Sequence, residues 1–238
     1  MTKRLRGRAA VEQRKRRIEA HPVCVHCERE GIVKATEEID HIVPLSQGGL
    51  DSEDNIQGLC IYHHRIKSAG EDTSHEAASN HPTWLQPSAI PVIIVTGPPG
   101  SGKSSYVELH SEDWDLVIDL DAIALEINPH FAGVWSREIL NRAIRQRNAE
   151  LGALQFAEGR KAWFIVGAPT RRERAWWKEQ LGELAELHHL DAPAETCLRR
   201  GADPEKVRTY FKAASRPWEP PRKRRKKVGI DADGYPID

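Results

Sequence analysis

Residues 92–105 read VIIVTGPPGSGKSS. The β-branched run from Val92 to Thr96 has the composition of a buried strand and stops at Gly97. Behind it stands G-x-x-x-x-G-K-S, the spacing of a phosphate-binding loop, and then a helical stretch. In such a loop the backbone N–H groups and the following helix N-terminus cradle phosphates. Lys103 is expected to reach the β and γ phosphates and Ser104 to ligate Mg2+. Gly97, Gly100 and Gly102 permit close backbone approach, and Pro98, Pro99, Ser101 and Ser105 complete the ATP-binding stretch.

Further strands are expected at DLVIDL (115–120), AWFIVGA (162–168) and LHHLDA (187–192), with helical patterns at 136–158, 171–185 and 204–214. Strands alternating with helices predict an α/β unit with a parallel sheet. Asp119 and Asp121 fall at the carboxyl end of the second strand, where ligands bind in such sheets. An aspartate there can accept the proton of an attacking hydroxyl in phosphoryl transfer. With these residues in view, positions from about 91 to 215 resemble small P-loop kinases of the 5′-hydroxyl polynucleotide kinase type and related ATPases of phage and bacterial genomes. The resemblance implies that Asp121 is the general base. It also implies that AETCLRRGADPEKV (194–207) is a lid, in which Arg199 or Arg200 neutralises the transferring phosphoryl; a solvated helix end is the competing reading. One departure is Gly167-Ala168, where many P-loop proteins carry a magnesium-orienting aspartate. It speaks against vigorous ATP hydrolysis.

Upstream, Cys24-x-x-Cys27 and Cys60-x-x-His63 are two chelating pairs with the spacing of a closed structural zinc site. So small a segment lacks a core of its own and needs such a staple. His64 follows the fourth ligand directly, and on a helix the two side chains diverge by about 100°. Asp40-His41, Gly48-Gly49, Asn55 and His64-x-x-Lys67 resemble the HNH endonucleases of the ββα-metal fold, over residues 20–68. His41 is suited to take a proton from water. Asp40 and His64 are candidate ligands of a catalytic Mg2+ or Mn2+ ion, which clamps the scissile phosphate. The resemblance permits Asn55 either to ligate that ion or to hold the histidine loop by hydrogen bonds.

The chain has 238 residues with 35 basic and 35 acidic side chains, so net charge indicates no partner, but its distribution does. Residues 1–20 carry eight Lys and Arg against Glu12 and Glu19, and residues 222–227 read RKRRKK. Two basic ends suit a polyanion held through phosphate contacts, with DNA the expected polymer. No apolar stretch approaches the ~20 residues of a membrane helix, and a cytoplasmic setting is expected. The expected organisation is a basic arm (1–20), an HNH domain (21–70), a linker (71–90), a kinase-like domain (91–216) and a flexible basic tail (217–238). The combined expectation is nucleic-acid cleavage and end processing. Its alternatives are a nuclease gated by ATP and a non-catalytic zinc DNA-binding module beside an ATPase.

Overall fold

The computed structural model describes residues 7–71, 77–129, 135–221, 229–230 and 236–237. The basic run 222–227 lies outside the described residues. The N-terminal basic arm is a helix from residue 8 on, α1 (Arg8–Ala20).

The first module is α2 (Val25–Arg29), an antiparallel pair β1 (Glu38–His41) and β2 (Ile56–Leu59), and α3 (Ile61–Glu71). The strand register sets Asp40 opposite Gln57 and His41 opposite Ile56. This is the expected small ββα unit. Its core consists of little more than Cys24, Cys27, Leu59 and Cys60, too little apolar area to fold without a further constraint.

The second module holds a four-stranded parallel sheet: β3 (Val92–Thr96), β4 (Leu116–Asp119), β5 (Ala162–Val166) and β6 (Ala185–His189), in the order β4-β5-β3-β6. Around it run α4 (Lys103–His110), α5 (Leu120–Ile127), α6 (Arg137–Ala153), α7 (Arg171–Leu181), α8 (Ala194–Arg199) and α9 (Pro204–Ala214). Local chemistry fixes the helix starts. Ser136 and Thr170 side chains accept from the N–H groups of Ile139 and Glu173, and Asp203 caps α9 ahead of Pro204 at its first turn. Gly182, at φ 90°, ends α7 four residues short of the expected 185. β6 accordingly begins at Ala185, opposite Val92, two residues earlier than the LHHLDA pattern suggests. The core centres on Val92, Ile94, Phe164 and Trp177, the last two rings packed edge to face at 4.9 Å.

Residues 77–90, expected to belong to a linker, are packed onto this module. Asn148 donates to the carbonyls of Ala77 and Ser79, and Arg147 to that of Asn80. His81 pairs with Glu173 at 2.8 Å. Trp84 lies over Gly152, where a Cβ would come within 2.6 Å of the indole. Backbone carbonyls of this segment, and the His81 side chain, are thus bonded to buried groups of α6 and α7. Trp218, in the expected tail, also packs beside His81 and Trp176.

The modules meet along α3 and α6. Tyr62 packs against both cores, and the Arg65 guanidinium stands over the Phe156 ring at 5.3 Å. Lys34 pairs with Glu158 and Arg160 with Glu30. Between them lies a cleft of about 960 Å³, lined by Gln57, Tyr62 and Lys67 on one side and Val117, Gln146 and Glu150 on the other.

Candidate active sites

The two chelating pairs converge. His63 Nδ1 lies 3.3 Å from Cys24 Sγ and 3.4 Å from both Cys27 Sγ and Cys60 Sγ, while Cys27 and Cys60 Sγ are 3.8 Å apart. A tetrahedral zinc ion with ordinary bond lengths would space its ligands by ~3.8 Å (S to S) and ~3.6 Å (S to N). The donor set therefore fits structural zinc. Burial and the neighbouring sulfurs hold the Cys27 and Cys60 thiols above their ordinary range, a crowding that a bound cation relieves. His63 Nε2 faces Glu30 Oε1 at 3.5 Å, an acceptor of the kind that orients metal-bound imidazoles. His26 is half-buried, its ring 5.1 Å from that of His63.

His64, one step along α3, does not join that cluster. Its Nδ1 is buried and has no hydrogen-bond partner in the protein, as an imidazole kept for a cation would be. Asp40 Oδ2 accepts from Lys67 Nζ at 2.8 Å and from Gln57 at 3.3 Å. Lys67 also donates to the His41 carbonyl, tying α3 to the end of β1. Among the described residues neither Asp40 nor His64 falls in a group of three or more potential metal ligands.

Asn55 Oδ1 accepts from Val43 N at 2.8 Å, and its Nδ2 donates to the carbonyls of Val43 and Leu50. With both ends of its amide bonded to the loop, Asn55 holds the histidine loop by hydrogen bonds. Gly49 lies under this clamp, where a Cβ would meet the Val43 carbonyl at 2.0 Å.

In the second module the phosphate loop leaves β3, the strand between β5 and β6. Gly97, Gly100 and Gly102 all take positive φ. Lys103 Nζ donates to the Gly97 and Pro98 carbonyls; burial lowers its pKa, opposed by Asp119 and Asp121. Ser101 Oγ is buried without a protein partner, consistent with a phosphate cradle. Ser104 Oγ donates to Asp119 Oδ2 at 3.3 Å. Asp119 thus places a carboxylate beside Ser104, whereas Gly167-Ala168, just past the end of β5, offer none. Its own pKa is raised by burial. Ala168 is buried at φ 42°, the one non-glycine residue of positive φ among the described residues.

Asp121, in the first turn of α5, is exposed, with Lys206 Nζ at 4.0 Å. The two candidate lid arginines part company. Arg200 Nη1 donates to the Gly100 and Ser101 carbonyls, whereas Arg199 bonds only the Thr196 hydroxyl within its own helix among the hydrogen bonds described. Sequence reasoning passed over Asp119 as a partner of Ser104. It also passed over Asp51 and Arg17 beside His41: Asp51 Oδ1 lies 3.3 Å from His41 Nε2 and 2.8 Å from an Arg17 guanidinium nitrogen. Only Asp119, already placed by its strand end, carried a sequence signal.

Comparison with known proteins places two families on the chain. Residues 24–70 match the family model described as HNH endonuclease, and residues 92–220 that described as AAA domain. No curated protein matches the chain. Among solved structures, the crystal structure of TT1252 from Thermus thermophilus is similar over 54% of this chain and 80% of its own, at 22% identity and a TM-score of 0.34. Among the described residues no helix is long and apolar enough to cross a membrane.

Proposed function

Because the chain belongs to the AAA-domain family and carries an HNH endonuclease domain ahead of that region, we propose that it cuts DNA with one module and phosphorylates 5′-hydroxyl ends with the other. The observation that carries the nuclease half is the divergence on α3: His63 Nδ1 among three thiols, and His64 Nδ1 buried and unpartnered.

In this reading Asp40 and His64 hold a divalent cation, which when bound neutralises the scissile phosphate and stabilises the leaving oxygen. His41 takes a proton from water, whose oxygen attacks phosphorus as the P–O3′ bond breaks, leaving a 3′-hydroxyl and a 5′-phosphate. Lys67 holds both the Asp40 carboxylate and the His41 carbonyl, so it keeps base and ligand in register. Zinc at Cys24, Cys27, Cys60 and His63 ties the hairpin to α3.

In the second module the loop from Gly97 to Ser105 binds ATP, with Ser104 and Asp119 at the magnesium position. Asp121 takes the proton of a 5′-hydroxyl as its oxygen attacks the γ-phosphorus and ADP leaves. Lys103 and Arg200 carry the charge. Since cleavage of the first kind already yields 5′-phosphates, the kinase treats ends made elsewhere.

The test pairs two assays. Supercoiled plasmid with Mg2+ or Mn2+ is nicked by the chain and spared by His41→Ala. Label moves from γ-labelled ATP to a 5′-hydroxyl oligonucleotide, and Lys103→Ala or Asp121→Ala stops it. Intact plasmid with the unaltered chain overturns the nuclease assignment, and unlabelled oligonucleotide the kinase assignment. The contact between the modules, along α3 and α6 and through the Glu30–Arg160 and Lys34–Glu158 pairs, favours a second reading in which ATP binding gates cutting. There, Lys103→Ala alters nicking and no phosphorylated product forms.

A further inference from the structure

Arg17 is the one buried residue of α1, at 8% exposure. A guanidinium so placed requires acceptors, because an unpaired buried charge costs several kcal/mol. Both of its carboxylate partners lie in the loop between β1 and β2: Nη1 reaches Asp51 Oδ1 at 2.8 Å, and Nε reaches Glu53 Oε1 at 3.0 Å. The same Asp51 oxygen is 3.3 Å from His41 Nε2. The three side chains therefore form a line from a helix outside the HNH match, residues 24–70, to the imidazole at the end of β1.

That line has a chemical consequence. A neutral imidazole carries its proton on one nitrogen and a lone pair on the other, and the group bonded to one nitrogen decides which. An ionised carboxylate only accepts. Asp51 can bond Nε2 only when Nε2 carries hydrogen, which leaves the Nδ1 lone pair free to take a proton. Arg17 in turn keeps Asp51 in place, through a fork that also engages Glu53 and so resists rotation of the loop. We propose that Asp51 and Arg17 are positioning residues of the nuclease site, selecting the Nε2–H tautomer of His41, and that α1 is part of that site rather than only a basic surface for DNA. The importance of the tautomer for cutting rests on the nuclease reading above; the tautomer itself does not.

The experiment uses the full chain, zinc-loaded and labelled with 15N-histidine, at a pH alkaline enough for the imidazole to be neutral. Ring nitrogen shifts distinguish the two tautomers, and His41→Ala assigns the signal. The unaltered chain is expected in the Nε2–H form. Asp51→Asn, whose amide can donate to Nε2, is expected to move the population toward Nδ1–H. It should also lower kcat for plasmid nicking on the order of 100-fold, with KM for DNA and zinc content unchanged. Arg17→Gln should loosen the preference and lower kcat, while Arg17→Lys restores part of both. A His41 tautomer unaltered in Asp51→Asn overturns the proposal, as does an unaltered kcat in a chain that cuts. If Asp51→Asn does not fold, the Arg17 pair decides on the same two readouts. A chain that never cuts DNA sinks the nuclease reading, and the tautomer shift alone then decides this inference.

Discussion

One peptide bond separates His63 from His64, and a helical step of about 100° is enough to give them different surroundings. The first faces three thiols within 3.4 Å; the second has a buried Nδ1 with no protein partner. That divergence was legible in the sequence, because spacing within one helix is a local property. Partners that come from elsewhere in the chain were not. Nothing near Arg17 signals Asp51, 34 positions on, and nothing near Arg200 says that it and not Arg199 meets the phosphate loop. Glu150, on α6 at the cleft between modules, shows the same dependence on tertiary context. Burial, with the charge of Glu126 adding, pushes its pKa up to about 7, against a hydrogen bond from Gln146. The folded value stands above the ordinary one of 4.5, so the folded state binds the proton more tightly. Glu150 therefore favours folding most below pH 4.5, and that contribution is lost as pH rises through about 7. Glu150→Gln should remove the decline. In thermal melts its advantage over the unaltered chain should grow between pH 5 and pH 8 to roughly 1–3 kcal/mol; parallel melting curves would refute this.

At the scale of elements, the strand and loop from Val92 to Ser104 and the two chelating pairs announced both folds, since each is a compact pattern with one structural reading. What escaped were elements whose sequence is polar for structural reasons. α1 carries so many basic residues that its helical nature and its inward-facing Arg17 were hidden among charges. Residues 77–90 look like solvated linker, yet Asn148, Arg147 and Glu173 take up their polar groups. β6 was displaced by two residues because Gly182 ends α7 early. The hairpin and α3 make a separate claim, since their shared core is four residues, three of them cysteines. Without metal, burial opposes thiolate formation at Cys27 and Cys60. Zinc binding is then folding free energy for this module. Treatment with a strong chelator should expose the amides of β1, β2 and the start of α3 to hydrogen exchange, while β3 and β5 stay protected. Uniform protection after complete removal of zinc would contradict that.

Across the whole molecule, the helix that carries the zinc ligand, the candidate nuclease ligand and Lys67 is also the one that packs on α6 of the P-loop module. Glu30 faces the zinc-site histidine on one side and Arg160 of the second module on the other. A single element thus serves scaffold, chemistry and module contact, which is why the two adjacent histidines matter beyond their own surroundings. The most direct check is to measure zinc content and plasmid nicking on the same preparation of His64→Ala. The expected result is about one zinc per chain, as in the unaltered protein, with nicking reduced on the order of 100-fold or more. A variant that loses its zinc, or keeps it and still cuts at the original rate, would contradict the assignment of the two imidazoles to separate ions.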